Sequence, residues 1–350
     1  MARIELDAVA HSYDGTERAL EHVHETFEDG GAYALLGPSG CGKTTLLSII
    51  SGLIRPSEGR VLLDGANVTD ADARTRNIAQ VFQFPVVYEA MTVRENLAFP
   101  LKNRGVETSE RDKRVAEIID ALGLGDCADR GAGRLTPDLK QKISLGRGLV
   151  RSDVAAILLD EPLTTIDPAL KWELRRQLKA LHRQMRRTMI YVTHDQSEAL
   201  TFAEKVAVMH EGRIVQIGTA RELFEAARHT FVGHFIGSPG MNVLPAAVAG
   251  AQAEVGGHAF ALSGPPRAPL AGAIEIGVRP EDVVLGREGA PVAITRVDDI
   301  GRLQIVSARL SDLDLTIVLE EGVEIPADPK VAFPPERVGL YADSWRVELG

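Results

Sequence analysis

The sequence predicts an α/β domain built on a buried parallel sheet, followed by a smaller all-β domain. Two short apolar runs, 154–159 and 189–192, are typical of strands buried on both faces. Amphipathic helical patterns over 110–122 and 169–187 alternate with them. Beyond about Phe235 the helical periodicity ends and short alternating segments follow one another, rich in glycine and proline.

Two further strands are expected near the N-terminus, over 3–9 and 60–63. Gly59, Asp64 and Gly65 supply turns around the second of them. These strands predict an antiparallel annex beside the main sheet.

The C-terminal part alternates apolar and polar residues over 273–278, 303–310 and 313–319. This period of two is typical of half-buried strands, and it predicts an all-β domain of about 110 residues. The domain limit is expected near 238–240, where Ser, Pro and Gly interrupt the pattern.

The composition is that of a globular protein, with 350 residues, 45% hydrophobic and 25% charged. The net charge of −10 argues against a nucleic-acid partner, which needs a concentrated basic face, so the basic residues over 169–187 indicate a solvated helix face. Cys41 and Cys127 supply neither a disulfide framework nor metal-site spacing, as expected for the cytosol. No apolar run approaches the roughly 18 residues of a membrane span.

One segment matches the phosphate-binding pattern GxxxxGK[ST]; its residues are Gly37, Pro38, Ser39, Gly40, Cys41, Gly42, Lys43 and Thr44. It lies between a strand pattern at 33–36 and a helical run at 45–50, which is the context that the motif requires. Backbone N–H groups of such a loop surround a polyphosphate, and the Lys43 ammonium can reach its β- and γ-phosphates. Thr44 is then placed to bind Mg²⁺ through its hydroxyl. The sequence therefore predicts a binder of a nucleoside triphosphate.

Polar side chains follow the two predicted parallel strands. Asp160 ends the first strand and is suited to hold Mg²⁺, while Glu161 can act as general base for the water that attacks the γ-phosphate. His194 follows the second strand and can hydrogen-bond the γ-phosphate and orient that water. Gln83 is the remaining candidate for contact with Mg²⁺ and water.

These motifs, in this order, resemble the ATPase subunits of ATP-binding-cassette transporters, specifically maltose-type carbohydrate importers with a C-terminal regulatory domain. The resemblance spans nearly the whole chain. It rests on GPSGCGKTT, which extends to Thr45, and on VFQ, MTVRENLAFPL, LLDEPLTTIDPALK, YVTHDQSEAL, FIGSPGMNVLP and IGVRPEDV. It implies that Tyr13 stacks on adenine and that Asp167 is the aspartate of the D-loop at the dimer interface.

The resemblance also implies a domain organisation. It comprises an ATPase domain at 1–235, a helical subdomain at about 87–152, and a regulatory or dimerisation β-barrel of the oligonucleotide/oligosaccharide-binding (OB) type at 236–350.

The chain departs from this family at the LSGGQ signature, which reaches across a dimer to the other subunit's γ-phosphate. The aligned residues are Leu135, Thr136, Pro137, Asp138 and Leu139. Pro137 removes a backbone donor, and Asp138 brings a carboxylate to a helix N-terminus where a polyanion should bind. A carboxylate about 5 Å from a phosphate costs about 3 kcal/mol at an effective dielectric of 20, roughly a hundredfold in affinity. The residues 84–89 depart as well, in a region that in this family meets the membrane subunit.

The resemblance implies an ATP- and Mg²⁺-dependent motor at the cytoplasmic face of a bacterial inner membrane. Its expected partners are two transmembrane permease subunits, a periplasmic solute-binding protein acting indirectly, and a second ATPase with an intact signature. The alternative is a soluble ATPase of the same superfamily that serves repair, translation or regulation without transport. The expected substrate is a small carbohydrate or polyol. Glycerol is favoured, because the degenerate signature resembles that of one of the paired, non-identical ATPases of polyol importers, glycerol importers in particular; a sugar, glycerol phosphate or another polyol remains open.

Overall fold

The computed structural model describes residues 2–350 of the chain. It divides into two compact units, the first ending at Ala220 and the second extending from Arg221 to Gly350. The sequence pattern placed the domain limit near 238–240, and the family resemblance placed it at 235/236. Two short helices, Ala220–Glu225 and Thr230–Phe235, precede that point and fall almost entirely within the second unit.

A six-stranded sheet forms the centre of the first unit. In sheet order its strands are β10 (Arg213–Gly218), β9 (Lys205–His210), β3 (Ala32–Leu36), β8 (Thr188–Thr193), β7 (Ala156–Asp160) and β6 (Ala79–Val81). Adjacent strands are parallel except for β10 and β9. Every residue of β3, β7 and β8 is buried. Strands covered on both faces are apolar throughout, which is why they stand out in the sequence as continuous runs.

A second sheet of the first unit is antiparallel. In sheet order its strands are β2 (Arg18–Phe27), β1 (Ile4–Ser12), β4 (Glu58–Leu63) and β5 (Ala66–Asn67). The predicted annex is therefore confirmed, although β2 was missed. The pairing of β1 with β2 is irregular at three places, so the buried residues Leu20, Val23 and Phe27 do not keep a period of two.

Seven helices of the first unit surround these sheets within the described residues. They are α1 (Lys43–Ser51), α2 (Ala73–Arg76), α3 (Val93–Lys102), α4 (Thr108–Ala121), α5 (Pro137–Leu149), α6 (Pro168–Met185) and α7 (Gln196–Phe202). Between β6 and β7 the chain forms α3, α4 and α5, and Leu97, Ile118 and Ile143 from these helices share one apolar core. Short 3₁₀ turns at Gly125–Cys127 and Ala132–Arg134 connect α4 to α5. None of the helices in residues 2–350 is both long and apolar enough to cross a bilayer.

The second unit consists of α8 (Ala220–Glu225), α9 (Thr230–Phe235) and antiparallel sheets. The first sheet contains β11 (Asn242–Pro245), β15 (Ile274–Val278), β22 (Gly339–Ala342) and β23 (Trp345–Val347), and the second contains β12 (Ala247–Ala249), β13 (Gln252–Val255) and β14 (His258–Ala261). The third contains β16 (Val284–Gly286), β21 (Lys330–Ala332) and β17 (Ala290–Pro291), and the fourth contains β18 (Ala293–Asp299), β19 (Leu303–Leu310) and β20 (Leu313–Glu320). Two 3₁₀ turns lie at Pro280–Asp282 and Pro335–Arg337.

The core of the second unit follows the alternation seen in the sequence. Leu315, Ile317 and Leu319 of β20 point into it, and they meet Val306 and Leu310 of β19 in the same apolar cluster. The residues between them on β20 are more exposed. The expected all-β domain is therefore confirmed.

Candidate functional site

The phosphate-loop segment connects the buried strand β3 to helix α1. Gly42 precedes the helix with φ 98°, a left-handed conformation that favours glycine. A Cβ at this position would lie 2.5 Å from the carbonyl oxygen of Ala19, so a side chain has no room. The remaining residues vary in accessibility: Gly37 and Cys41 are buried, Pro38 is half-buried, and Ser39 and Gly40 are exposed. The loop therefore presents its central backbone to solvent, as phosphate binding requires.

Lys43 opens α1 and is buried, with its ammonium turned back into the loop. The Nζ atom donates hydrogen bonds to the carbonyl oxygens of Gly37 at 2.9 Å and Pro38 at 2.7 Å. It also lies 3.8 Å from the sulfur of Cys41, whose thiol pKa is raised by burial. A single positive charge therefore lies within the predicted phosphate-binding loop.

Asp160 and Thr44 form the candidate Mg²⁺ site. The Thr44 hydroxyl donates to Oδ1 of Asp160 at 3.3 Å, which joins the start of α1 to the end of β7. Burial raises the pKa of the Asp160 carboxyl, while the Thr44 hydrogen bond and the charge of Lys43 oppose this. A cation beside this buried carboxyl would favour its ionised form. A hydroxyl and a carboxylate are also the oxygen donors that Mg²⁺ prefers, so these residues fit the ion.

Glu161 lies at the meeting point of three polar side chains. Its carboxylate oxygens are 3.4 Å from Nε2 of Gln83, 3.1 Å from the hydroxyl of Thr164 and 3.3 Å from Nδ1 of His194. The Glu161 backbone has φ 43°, which is unusual for a residue with a side chain, and its N–H donates to the carbonyl of Val192 at 3.0 Å. Because strained backbone concentrates at functional sites, this conformation supports a chemical role for the carboxylate.

Tyr13 lies close to the C-terminal end of the phosphate loop, where helix α1 begins. Its side chain is 66% exposed, its hydroxyl is 3.0 Å from that of Thr45, and its ring meets His11 edge to face at 4.7 Å between centroids. One flat face of an exposed ring beside the phosphate loop is suited to stack on a nucleotide base.

The predicted signature residues form a second group. Thr136 and Pro137 are exposed, Asp138 and Leu139 are half-buried, and Pro137 is the first residue of α5. Oδ1 of Asp138 accepts a hydrogen bond from the backbone N–H of Asp167 at 3.4 Å. Asp167 in turn caps α6 by accepting from the N–H of Ala169 at 2.9 Å.

Leu135 differs from the rest of this group. It is 7% exposed and belongs to the apolar core that α3, α4 and α5 share. Its side chain therefore stabilises the subunit, and the surface available to a partner begins at Thr136.

Two further residues support the site, although their sequence pattern did not indicate it. Thr164, three residues after Glu161, donates a hydrogen bond from its hydroxyl to the Glu161 carboxylate. Gln141 of α5 donates a hydrogen bond from Nε2 to the carbonyl oxygen of Pro162 at 2.8 Å. Gln141 is completely buried, which is unusual for this residue type. Its place in α5, facing a turn that is distant in sequence, could be known only from the fold.

Two family models match the chain. One, described as ABC transporter, matches residues 20–164, and one, described as MalK OB fold domain, matches residues 237–283. The first match contains the phosphate loop, Asp160 and Glu161. The second covers the beginning of the all-β part.

Curated relatives align over most of the chain. An uncharacterised ABC transporter ATP-binding protein, y4oS, from Sinorhizobium fredii is 38% identical over 92% of this chain and 88% of its own length. The sn-glycerol-3-phosphate import ATP-binding protein UgpC from Paraburkholderia xenovorans is 37% identical over 97% of this chain and 98% of its own length. Among solved structures, the ATP-binding cassette MJ0796, a dimer in a post-hydrolysis state with ADP and phosphate, is 28% identical with a TM-score of 0.56. That match covers 62% of this chain and 98% of the cassette.

Proposed function

Because this chain belongs to the ATP-binding proteins of ABC transporters, we propose that it powers an importer of a small polyol or sugar, with sn-glycerol 3-phosphate as the favoured solute. As a member of this family it binds ATP and is an ATPase. The observation that carries the proposal is the convergence of Gln83, Thr164 and His194 on Glu161, beside the phosphate loop. The name of the relatives favours sn-glycerol 3-phosphate over glycerol among the solutes that the sequence left open.

The site supports hydrolysis by an activated water molecule. Backbone N–H groups of the loop and the Lys43 ammonium bind the β- and γ-phosphates of ATP. Glu161 accepts a proton from water as the water oxygen forms a bond to the γ-phosphorus, and the bond to the ADP oxygen breaks. His194, 3.3 Å from Glu161, holds the γ-phosphate and fixes the direction in which Glu161 accepts the proton.

Mg²⁺ fits the oxygen donors at the start of α1 and the end of β7. Thr44, Asp160 and the side-chain oxygen of Gln83 would hold it, directly or through water. When bound, the ion neutralises charge on the phosphate oxygens. No group of three or more His, Cys, Asp or Glu side chains able to hold a metal occurs in the described residues. The remaining ligands would be phosphate oxygens and water, which is usual for Mg²⁺.

Transport requires partners that this chain does not supply. We place the subunit at the cytoplasmic face of a bacterial inner membrane, bound to two permease subunits that receive solute from a periplasmic binding protein. We also place a second ATPase with an intact signature beside it, because in the segment 136–139 Pro137 removes a backbone N–H donor and Asp138 adds a carboxylate. The dimeric arrangement of the cassette MJ0796 supports a two-subunit site.

Reconstitution tests this function. The chain is expressed with its candidate permeases, the complex is placed in lipid vesicles, and ATP hydrolysis is measured with the solute-binding protein. We expect sn-glycerol 3-phosphate to stimulate hydrolysis more than glycerol or maltose does. A chain that is recovered without permeases, as a homodimer active on nucleic acid, would refute the importer.

Replacing Lys43 by alanine is expected to weaken ATP binding by about ten- to a hundredfold, since a hydrogen bond to a charged group contributes about 1.5–3 kcal/mol. Titration calorimetry with ATP measures the change. Lys102→Ala, on the exposed end of α3, removes the same charge elsewhere and is the matched control. Equal affinity in Lys43→Ala and Lys102→Ala would show that Lys43 does not contact the nucleotide.

Deleting the chain from Gly240 onward is expected to leave a folded domain that still binds ATP. The phosphate loop, both carboxylates and His194 lie in the first unit, which has apolar cores of its own. The deletion should instead impair the regulation of the ATPase or the contact between the two subunits of the dimer. Thermal unfolding establishes the fold, and a second variant ending at Ala220 tests whether α8 and α9 matter. Loss of ATP binding in a folded truncated chain would contradict this division of roles.

A further inference from the structure

A buried carboxylate lies directly behind the strand end that carries His194. Glu198 is on α7, and its side chain is only 4% exposed. A carboxylate so far removed from water costs free energy unless it is hydrogen-bonded and paired with a positive charge. The sequence gives little sign of it beyond an acidic residue beside the apolar Ala199 and Leu200.

Three donors satisfy this carboxylate. Oε2 accepts from the hydroxyls of Tyr191 at 3.0 Å and Thr193 at 2.9 Å, and Oε1 accepts from Nζ of Lys171 at 3.3 Å. Burial and the Glu198 carboxylate raise the pKa of Tyr191 well above its usual value, so the Tyr191 hydroxyl remains a donor. Lys171 supplies the compensating charge and is itself partly exposed.

The same contacts fix the backbone on both sides of His194. The Thr193 hydroxyl, which donates to Glu198, also accepts from the N–H of Asp195 at 3.0 Å. The Asp195 side chain then accepts from the N–H of Glu198 at 3.1 Å, which caps α7. The residues immediately before and after His194 are therefore tied to one carboxylate, while the His194 imidazole itself extends towards Glu161.

The network also extends to another helix. Lys171 is on the first turn of α6. Asp167, which is predicted to lie at the dimer interface, caps the N-terminus of this helix. The Lys171 to Glu198 contact joins that helix to the strand end of His194. A displacement of α6 would therefore change the positions of residues 193–195.

We propose that Glu198 is a positioning residue that holds His194 against Glu161, and that Lys171 couples this position to α6. The inference rests on the proposed ATPase function, in which His194 contacts the γ-phosphate. Glu198 contacts neither nucleotide nor water in this role, and it acts through the backbone of His194.

Glu198→Gln is the main test, because glutamine preserves size but loses the charge that holds three donors. In the assembled complex we expect kcat to fall roughly ten- to a hundredfold, as a misplacement of about 1 Å does. The KM for ATP should stay within about twofold, because the phosphate loop with Lys43, and Tyr13, lie outside this network and keep their contacts with the nucleotide. Glu173→Gln, on the exposed face of α6, makes the same chemical change outside the network and should leave both constants unchanged.

A pair of variants at Lys171 separates coupling from simple packing. Lys171→Arg keeps the charge and should retain most of kcat, whereas Lys171→Met should lose kcat much as Glu198→Gln does. Because Lys171 is partly exposed, both should fold even where Glu198→Gln does not, and thermal unfolding checks this. Equal kcat values for the Arg and Met variants would overturn the proposal.

The histidine itself gives a readout that does not depend on hydrolysis. The full-length chain is labelled with ¹³C at histidine, and the His194 imidazole resonance is assigned by its loss in His194→Ala. We expect that resonance to shift in Glu198→Gln, or in Lys171→Met, and to stay in place in Glu173→Gln. A His194 resonance that does not move in these variants would overturn the proposal. If the resonance shifts in the variants but the wild-type complex has no importer activity, only the proposed function is refuted.

Discussion

Replacing Glu161 by glutamine is expected to lower ATP turnover of the assembled transporter by about 10²- to 10⁴-fold, the usual effect of losing a general base. Glutamine keeps the shape of the side chain and can still meet Gln83, Thr164 and His194. It cannot accept a proton from the attacking water. Binding of ATP should therefore remain near wild type, and the complex should accumulate in the closed, ATP-bound dimer.

Steady-state hydrolysis and nucleotide occupancy together measure this result. Thr164→Ala is the matched control, because it removes one hydrogen bond to Glu161 and leaves the carboxylate in place. A loss of only a few-fold is expected there. If Glu161→Gln hydrolyses ATP at a rate close to wild type, another residue is the base.

The parts of the site that the sequence predicted share one physical origin. Asp160 ends a strand that is buried on both faces, and Glu161 and His194 directly follow such strands. Each is therefore preceded by a continuous apolar run in the sequence. Parallel strands deliver such residues to a single sheet edge. The contact of Glu161 with His194 follows from that geometry and from the pairing of β7 with β8.

The parts that were not predicted depend on contacts between distant segments. Gln141 and Glu198 are buried polar residues. Glu198 lies within the motif YVTHDQSEAL, yet nothing in the sequence around either residue indicates that its side chain is buried. Leu135 occupies a position of the signature, yet it is buried as part of the apolar core. In the second unit the alternation revealed β15, β19 and β20, whereas the remaining strands and the arrangement of all of them in four small sheets required the three-dimensional structure.

The signature segment leads to the second large expected effect, an unequal pair of ATP sites. A homodimer would place Pro137 and Asp138 against both nucleotides, so both sites would lack a backbone donor and face a carboxylate. Asp138 is turned towards the N–H of Asp167 in its own chain, at 3.4 Å, but remains at the first turn of α5. Repulsion of about 3 kcal/mol, estimated for a carboxylate about 5 Å from a phosphate, corresponds to roughly a hundredfold.

A heterodimer with an intact LSGGQ avoids this loss at one site. Lys43 and Glu161 of this chain would then face a competent signature and hydrolyse ATP. The opposite site, built from the partner's phosphate loop and residues 136–139 here, would bind ATP and hydrolyse it slowly. The two sites of one complex would thus have different rates, although both hold nucleotide.

Separate substitutions in the two ATPases of the purified complex test this asymmetry. Glu161→Gln should abolish nearly all turnover, whereas the equivalent change in the partner should reduce it much less. Restoring the signature in this chain, with Pro137→Gly and Asp138→Gly together, should raise turnover at the slow site by up to about a hundredfold, since that is the estimated effect of the repulsion. Equal losses from the two Glu→Gln changes, or full activity from a complex with two copies of this chain, would refute the asymmetric pair.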